Sequence, residues 1–186
     1  GRFRIWSAGC SNGQEAYSIA MTVLETYPEM LSSDFKVLAT DIDQEVVNFA
    51  IKGVYPQRLM RGVPKHLIKK YFNVKSSGCE ETYEVNDVLR SKIYFNNLNL
   101  LSDWPMKKPM NVIFCRNVVI YFDAKTQNQL WPKFKSILAA DGKLFLGHSE
   151  RIAEPEKSGF VNDGPTSYRP ENALNNPSLG GIPNVA

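Results

Sequence analysis

Hydrophobic and polar positions along this chain switch between two periods. Residues 3–8 (FRIWSA) form a β-prone run that stops at Gly9, and Ala16, Ile19, Ala20, Val23 and Leu24 then recur at helical spacing until Pro28. The unit repeats: residues 36–40 read as a buried strand ending in Asp41, and Val46, Val47, Ala50 and Ile51 make a helical stripe that stops at Gly53. Two βα units in succession predict a parallel sheet. A third strand at 111–115 precedes a polar break at Arg116 and Asn117. Leu130, Phe134, Ile137 and Leu138 then line a further helix, in which Pro132 predicts a kink or a late start. Asp141 and Gly142 are expected to turn the chain into a strand at 143–146, and 166–169 to pair as a last, antiparallel strand.

Between the second and third units the rhythm breaks. Leu67, Ile68, Tyr71 and Phe72 suggest a short helix, and residues 81–85 and 92–95 alternate around a polar turn, which predicts a small antiparallel insert. From 170 to 186 Asn, Pro and Gly accumulate and apolar periodicity vanishes, so that stretch is expected to be a disordered tail. There is no internal repeat.

Composition adds mostly exclusions. With 186 residues, 43% hydrophobic and 22% charged, the chain reads as one ordinary globular domain. Its net charge of +3 is small and dispersed, which argues against nucleic acid as a partner. The longest apolar run, 111–122, is broken by Arg116 and Asn117 and falls short of the roughly 20 residues of a membrane helix, so no direct membrane insertion is expected. Cys10, Cys79 and Cys115 are odd in number and form no C-x-x-C pair, a usage that fits a reducing cytoplasm and predicts no metal site. The chain starts without Met and without a basic-then-apolar leader, so the expectation is a fragment carrying no secretory signal.

In an open parallel sheet a ligand lies beyond the carboxyl ends of the strands, which here directs attention to 9–13, Asp41, Arg116, Asn117 and 147–150. The first turn, Gly9-Cys10-Ser11-Asn12-Gly13, lacks the G-x-G-x-x-G spacing that wraps a pyrophosphate, and G-x-x-x-x-G-K-[ST] is missing. Asp41 is placed either to accept hydrogen bonds from a ribose or to cap the helix carrying Val46. Together, a Gly turn and an acid without a phosphate loop favour a phosphate-free nucleoside such as S-adenosylmethionine. Glu15 suits the ammonium or sulfonium charge of such a ligand, or equally the first turn of a helix. Asn99, Leu100, Arg116 and Asn117 fall near the same rim, where an amide can meet an adenine edge and a guanidinium a carboxylate. For Tyr121 the default is core packing with its hydroxyl at the surface. His148 and Ser149 lack a third triad partner and a nucleophile elbow.

Five blocks in order, W-S-A-G-C-S-N-G-Q-E-A-Y-S-I-A at 6–20, A-T-D-I-D at 39–43, N-L-L at 99–101, I-F-C-R-N-V-V-I-Y-F at 113–122 and G-H-S-E at 147–150, resemble the CheR family of chemoreceptor glutamate methyltransferases. The resemblance spans 2–169 and implies an α/β, Rossmann-like SAM methyltransferase fold. Its mostly parallel sheet would have an antiparallel last strand and an inserted antiparallel β-subdomain at about 74–97. It implies a catalytic domain at 1–169, S-adenosylmethionine as cofactor and S-adenosylhomocysteine as product. It implies the cytoplasmic domain of chemoreceptors as partner, with a receptor tail peptide docking on 74–97 in some members. By position, the family's cofactor contacts fall on Gly9, Glu15, Asp41, Asn99, Leu100, Arg116 and Asn117, and its active-site tyrosine on Tyr121. In the chemistry expected here Arg116 or the Tyr121 hydroxyl positions the glutamate or the methionine end, while Asp41 fixes the ribose. The loop departs from the family at Asn12, Gln14 and Ala16. The family's N-terminal helical domain is expected to be absent. The competing readings are a SAM methyltransferase with another substrate, and a non-catalytic SAM-binding or signalling module.

Overall fold

The computed structural model describes residues 2–77 and 80–171. In chain order the elements are β1 (Arg2–Ala8), α1 (Gln14–Thr26), β2 (Asp34–Asp41), α2 (Gln44–Lys52), β3 (Val54–Pro56), α3 (Lys65–Tyr71), β4 (Phe72–Ser77), β5 (Glu80–Val85), α4 (Asp87–Arg90), β6 (Ile93–Asn97), β7 (Met110–Cys115), α5 (Ala124–Ile137), β8 (Leu138–Leu146), β9 (Phe160–Gly164) and β10 (Ser167–Pro170). The main sheet has the order β6-β2-β1-β7-β8-β10-β9. Strands β6 through β8 run parallel, and β10 runs antiparallel to both β8 and β9.

Alternation along β1 divides the core. Ile5 packs with Tyr17, Ala20 and Leu24 of α1 and with Phe35 and Val37 of β2, whereas Trp6 packs with Leu130, Trp131 and Phe134 of α5 on the other face. Both faces are apolar because the sheet is layered between helices. Trp6 donates its indole N–H to the Thr40 hydroxyl at 2.9 Å, satisfying a polar atom that the core would otherwise strand.

Helix boundaries follow local chemistry. The Asp43 carboxylate caps α2 by accepting from Glu45 N, and Gly53 ends it at φ +60°. Asp123 caps α5 through Thr126 N. That helix starts at Ala124 and runs through Pro132, so of the kink or late start expected from sequence the late start does not occur. The carbonyl that Pro132 leaves without an N–H belongs to the exposed Asn128, where water can take it.

The insert differs from the sequence reading. The small sheet, order β3-β5-β4, draws on Val54–Pro56, Phe72–Ser77 and Glu80–Val85, and the run at 92–95 instead belongs to β6, at the parallel edge of the main sheet. The cause is α4, capped by the Asn86 side chain through Leu89 N, which carries the chain away from β5 and returns Ile93 beside Val37. Asp141 and Gly142 are not a turn either. They lie within β8, where the register against β7 shifts between Met110 and Val112 and a Cβ on Gly142 would stand 2.9 Å from Asn111 O. Pro170 pairs with Phe160, and Glu171 N donates to Gly159 O, so the chain stays attached past the expected start of the tail. The remainder of that tail, 172–186, lies outside the described residues, as does Cys79.

Candidate functional site

From β1 the chain winds outward through β2 to β6 on one side, then crosses back to β7 and β8 on the other. The reversal leaves a crevice at the carboxyl ends of β1 and β7, the place where open α/β sheets hold ligands. A cavity of about 470 Å³ opens there, lined by Gly9, Ser11, Asp41, Asn99, Leu100, Asn117 and Tyr121 and walled by Ile42, Leu98, Leu101, Val118 and Phe122. A larger groove of about 710 Å³ runs along the sheet face between α1 and β7. It is mostly apolar, and its charged lining residues, Glu15 and Arg116, are paired with each other, whereas the crevice gathers Ser11, Asp41, Asn99 and Asn117, so the candidate site is the smaller cavity.

The glycine turn is built for close approach. Gly9 N and Cys10 N both donate to Thr40 O, at 2.8 and 2.9 Å, which ties the end of β1 to the end of β2. Gly9 adopts φ +85°, and a Cβ there would lie 2.3 Å from Val118 Cγ2. Only glycine satisfies both demands. The loop is held from the small sheet as well, since the Tyr55 hydroxyl donates to Asn12 O at 2.8 Å, and at the start of α1 Gln14 Nε2 donates to Leu59 O at 2.9 Å in the 3-10 turn that follows β3.

Asp41 sits at the end of β2 with its carboxylate oriented by two backbone donors, Ser11 N at 2.8 Å and Asp43 N at 3.1 Å, one to each oxygen. Each oxygen keeps acceptor capacity. Because Asp43 is the helix cap, the alternative role for Asp41 is already filled. Asn97 Nδ2 donates to Asp41 O and Ile42 O, and Leu98 N to Asp41 O, so β6 fixes the chain that leads into the cavity wall.

Glu15 and Arg116 do not line this cavity. They pair with each other, Arg116 Nη1 to Glu15 Oε2 at 3.2 Å, while Glu15 Oε1 accepts from the buried Ser7 hydroxyl at 2.7 Å. The pair borders the apolar groove. Tyr121 departs from the core-packing default. It ends a short 3-10 turn, 81% exposed, at the cavity rim.

Sequence reasoning passed over Glu150 while weighing His148 and Ser149. The Glu150 carboxylate is 3% exposed and accepts from Gly147 N, Asn117 N, Val118 N and Ile120 N. A carboxylate three residues after a glycine was the available signal. Two buried thiols flank the site, and burial pushes the Cys10 thiol up to about 12 and the Cys115 thiol higher still.

A nucleoside with an uncharged base fits the cavity. Ile42, Leu98, Val118 and Phe122 offer apolar walls to a base, Asp41 an acceptor to a ribose, and Gly9 a place of close approach. Fold and site together are those of a Rossmann-like α/β domain with a crevice suited to a nucleoside. The fold is similar to that of a TehB-like SAM-dependent methyltransferase from Corynebacterium glutamicum, with a TM-score of 0.50 at 14% identity, covering 90% of this chain and 78% of that one, a likeness of fold.

The family model for the CheR methyltransferase, SAM binding domain, matches residues 1–165, and the chain belongs to this family, with S-adenosylmethionine as its cofactor. It is 44% identical over 169 residues to a probable chemotaxis protein methyltransferase of Rhizobium etli, covering 91% of this chain and 63% of that protein. It is 47% identical to the chemotaxis protein methyltransferase of Borreliella burgdorferi, at 89% and 58% coverage, and 38% identical to that of Escherichia coli, at 90% and 58%. The chain thus spans about three fifths of the length of these relatives. Among the described residues no helix is long and apolar enough to cross a membrane.

Proposed function

We propose that the protein transfers the methyl group of S-adenosylmethionine to glutamate side-chain carboxylates of bacterial chemoreceptors, and so tunes chemotaxis adaptation. One observation carries the reading: the Asp41 carboxylate stands in the cavity with one backbone donor on each oxygen and acceptor capacity left for a ribose, while the rim at the exposed Tyr121 is open to an acceptor that arrives without need of a general base. A glutamate with a pKa of about 4.3 is already ionised at neutral pH and needs none. The cofactor supplies a methyl group on a positively charged sulfur. A carboxylate oxygen forms its bond to that carbon as the sulfur–carbon bond breaks and its electron pair returns to sulfur, leaving a neutral ester and a neutral thioether.

The chain's residues then have holding roles. Asp41 accepts from the ribose hydroxyls, Gly9 admits the ligand to the backbone, and Asn99, Leu100 and Asn117 face the nucleoside. The Glu15–Arg116 pair lies outside the cavity, with Arg116 next to Asn117 along the chain, and its two opposite charges suit the ammonium and carboxylate of an amino-acid end that extends out of the cavity. Tyr121 offers its hydroxyl from the open rim to the incoming carboxylate. Opposite charges cancel as the methyl moves, so rate depends on alignment at near-attack distance with water excluded.

The partner in this reading is the cytoplasmic domain of a chemoreceptor, and the setting the cytoplasm. The relatives' description as chemotaxis protein methyltransferases supports a partner in chemotaxis. For a receptor tail peptide the supporting feature is β4, whose outer edge pairs with no strand among the described residues and is open to strand addition. The test supplies tritiated-methyl cofactor and a receptor cytoplasmic fragment to the full-length protein. Base-labile label, released as methanol and lost when the receptor glutamates are replaced by Ala, is expected; base-stable label, or none, contradicts the proposal.

A further inference from the structure

We propose that Glu150 is a positioning residue of the cofactor cavity, acting through the loop that follows β7. The inference rests on the cavity being the S-adenosylmethionine site. Glu150 lies one strand away from that loop, on the chain leaving β8, and touches no open part of the cavity. Its Oε2 accepts from Gly147 N at 2.6 Å and Asn117 N at 2.8 Å, and its Oε1 from Val118 N at 2.8 Å and Ile120 N at 3.3 Å. Three of these four donors belong to residues 117–120, the segment that supplies Asn117 and Val118 to the cavity and leads into Tyr121.

A buried carboxylate surrounded by backbone N–H groups replaces its lost hydration with oriented dipoles, and in return dictates where those N–H groups stand. The loop needs such a constraint. Asn117 adopts φ +57°, a left-handed conformation that asparagine tolerates better than most residues and that turns the chain sharply, and Val118 must press against Gly9 with no room for a Cβ between them. Gly147 is part of the same device, because a Cβ there would stand 2.6 Å from Glu150 Oε2 and 2.9 Å from Asn117 N. The carboxylate therefore sets the wall of the cavity opposite Asp41 without contacting the ligand.

Glutamine at position 150 keeps the shape but directs an NH2 at backbone donors that have no acceptor to give it. Glu150→Gln is expected to weaken S-adenosylhomocysteine binding about tenfold or more, measured by calorimetry on this chain, while the protein remains folded by circular dichroism. Gly147→Ala displaces the same carboxylate without altering charge and should give a similar loss. The discriminating readout is coupling with Asn117→Gly, which removes the side chain and tolerates the left-handed backbone. If Glu150 works through the loop, the double variant Glu150→Gln/Asn117→Gly binds about as the weaker single variant does, whereas a general effect on the fold gives losses that multiply. Multiplying losses, unchanged binding in both Glu150→Gln and Gly147→Ala, or unfolding of both overturns the assignment. A wild type that binds no S-adenosylhomocysteine removes the cavity reading itself, a separate result.

Discussion

Tyr121 stands apart from the other aromatic residues of the loop after β7, for it is 81% exposed where Phe122 is half-buried. A hydroxyl on the open rim has no packing duty, so Tyr121→Phe is expected to leave S-adenosylhomocysteine affinity within about twofold while receptor methylation falls by about tenfold or more, a loss of one charge-assisted hydrogen bond. An equal loss in both would place the residue on the cofactor instead. The thiols of Cys10 and Cys115 behave oppositely, being buried and held protonated well above their ordinary value of 9.0. In the unfolded chain they ionise near that value, so the unfolded state sheds protons first and stability falls as pH rises through it. Between pH 8 and 10 the loss should be about 1–2 kcal/mol per thiol, and urea unfolding of the wild type beside Cys10→Ala reads it directly. At this scale the sequence was legible for the placement of Gly9 and Asp41, which strand ends and turn chemistry bring to the cavity. It was not legible for Glu150, because a carboxylate that bonds only to backbone N–H groups leaves no pattern of side-chain partners.

At the scale of elements, what could be read from sequence depended on length and amphipathicity. The long units β1–α1 and β2–α2 carry enough apolar periodicity to declare themselves, and the structure follows them closely. Strand β3 has three residues and β9 reads Phe-Val-Asn-Asp-Gly, too short or too polar to show a period. Alternation at 92–95 was real, but the pairing partner of a short strand is decided by the connection before it, here α4. Small sheet and cofactor loop are joined by the Tyr55 hydroxyl on Asn12 O, a link between β3 and the turn after β1. Tyr55→Phe should therefore weaken S-adenosylhomocysteine binding severalfold at a stability cost of about 1 kcal/mol, by calorimetry and urea unfolding respectively. Unaltered affinity would mean that the glycine turn is held well enough by Thr40 O alone.

Over the whole molecule, function is concentrated where the strand order reverses. Every residue carried into the cavity, from Gly9 to Tyr121, lies at or just after the carboxyl end of a parallel strand or at the crossing between them. The Glu15–Arg116 pair lies to one side, bordering the apolar face, a placement that spacing along the chain could not reveal because the two are 101 residues apart. A ligand that bridges the ends of β1, β2 and β7 favours the folded state by mass action. S-Adenosylhomocysteine at a hundred times its dissociation constant should add about 2.7 kcal/mol and raise the Tm by about 5–10 °C. The measurement that bears most directly on the central claim is calorimetric binding of S-adenosylhomocysteine to the wild type and to Asp41→Ala. The account predicts micromolar binding by the wild type and a loss of tenfold or more in the variant, on the order of one hydrogen-bonded charge. Equal affinities in the two proteins would contradict it, since the carboxylate at the end of β2 would then hold no part of the nucleoside.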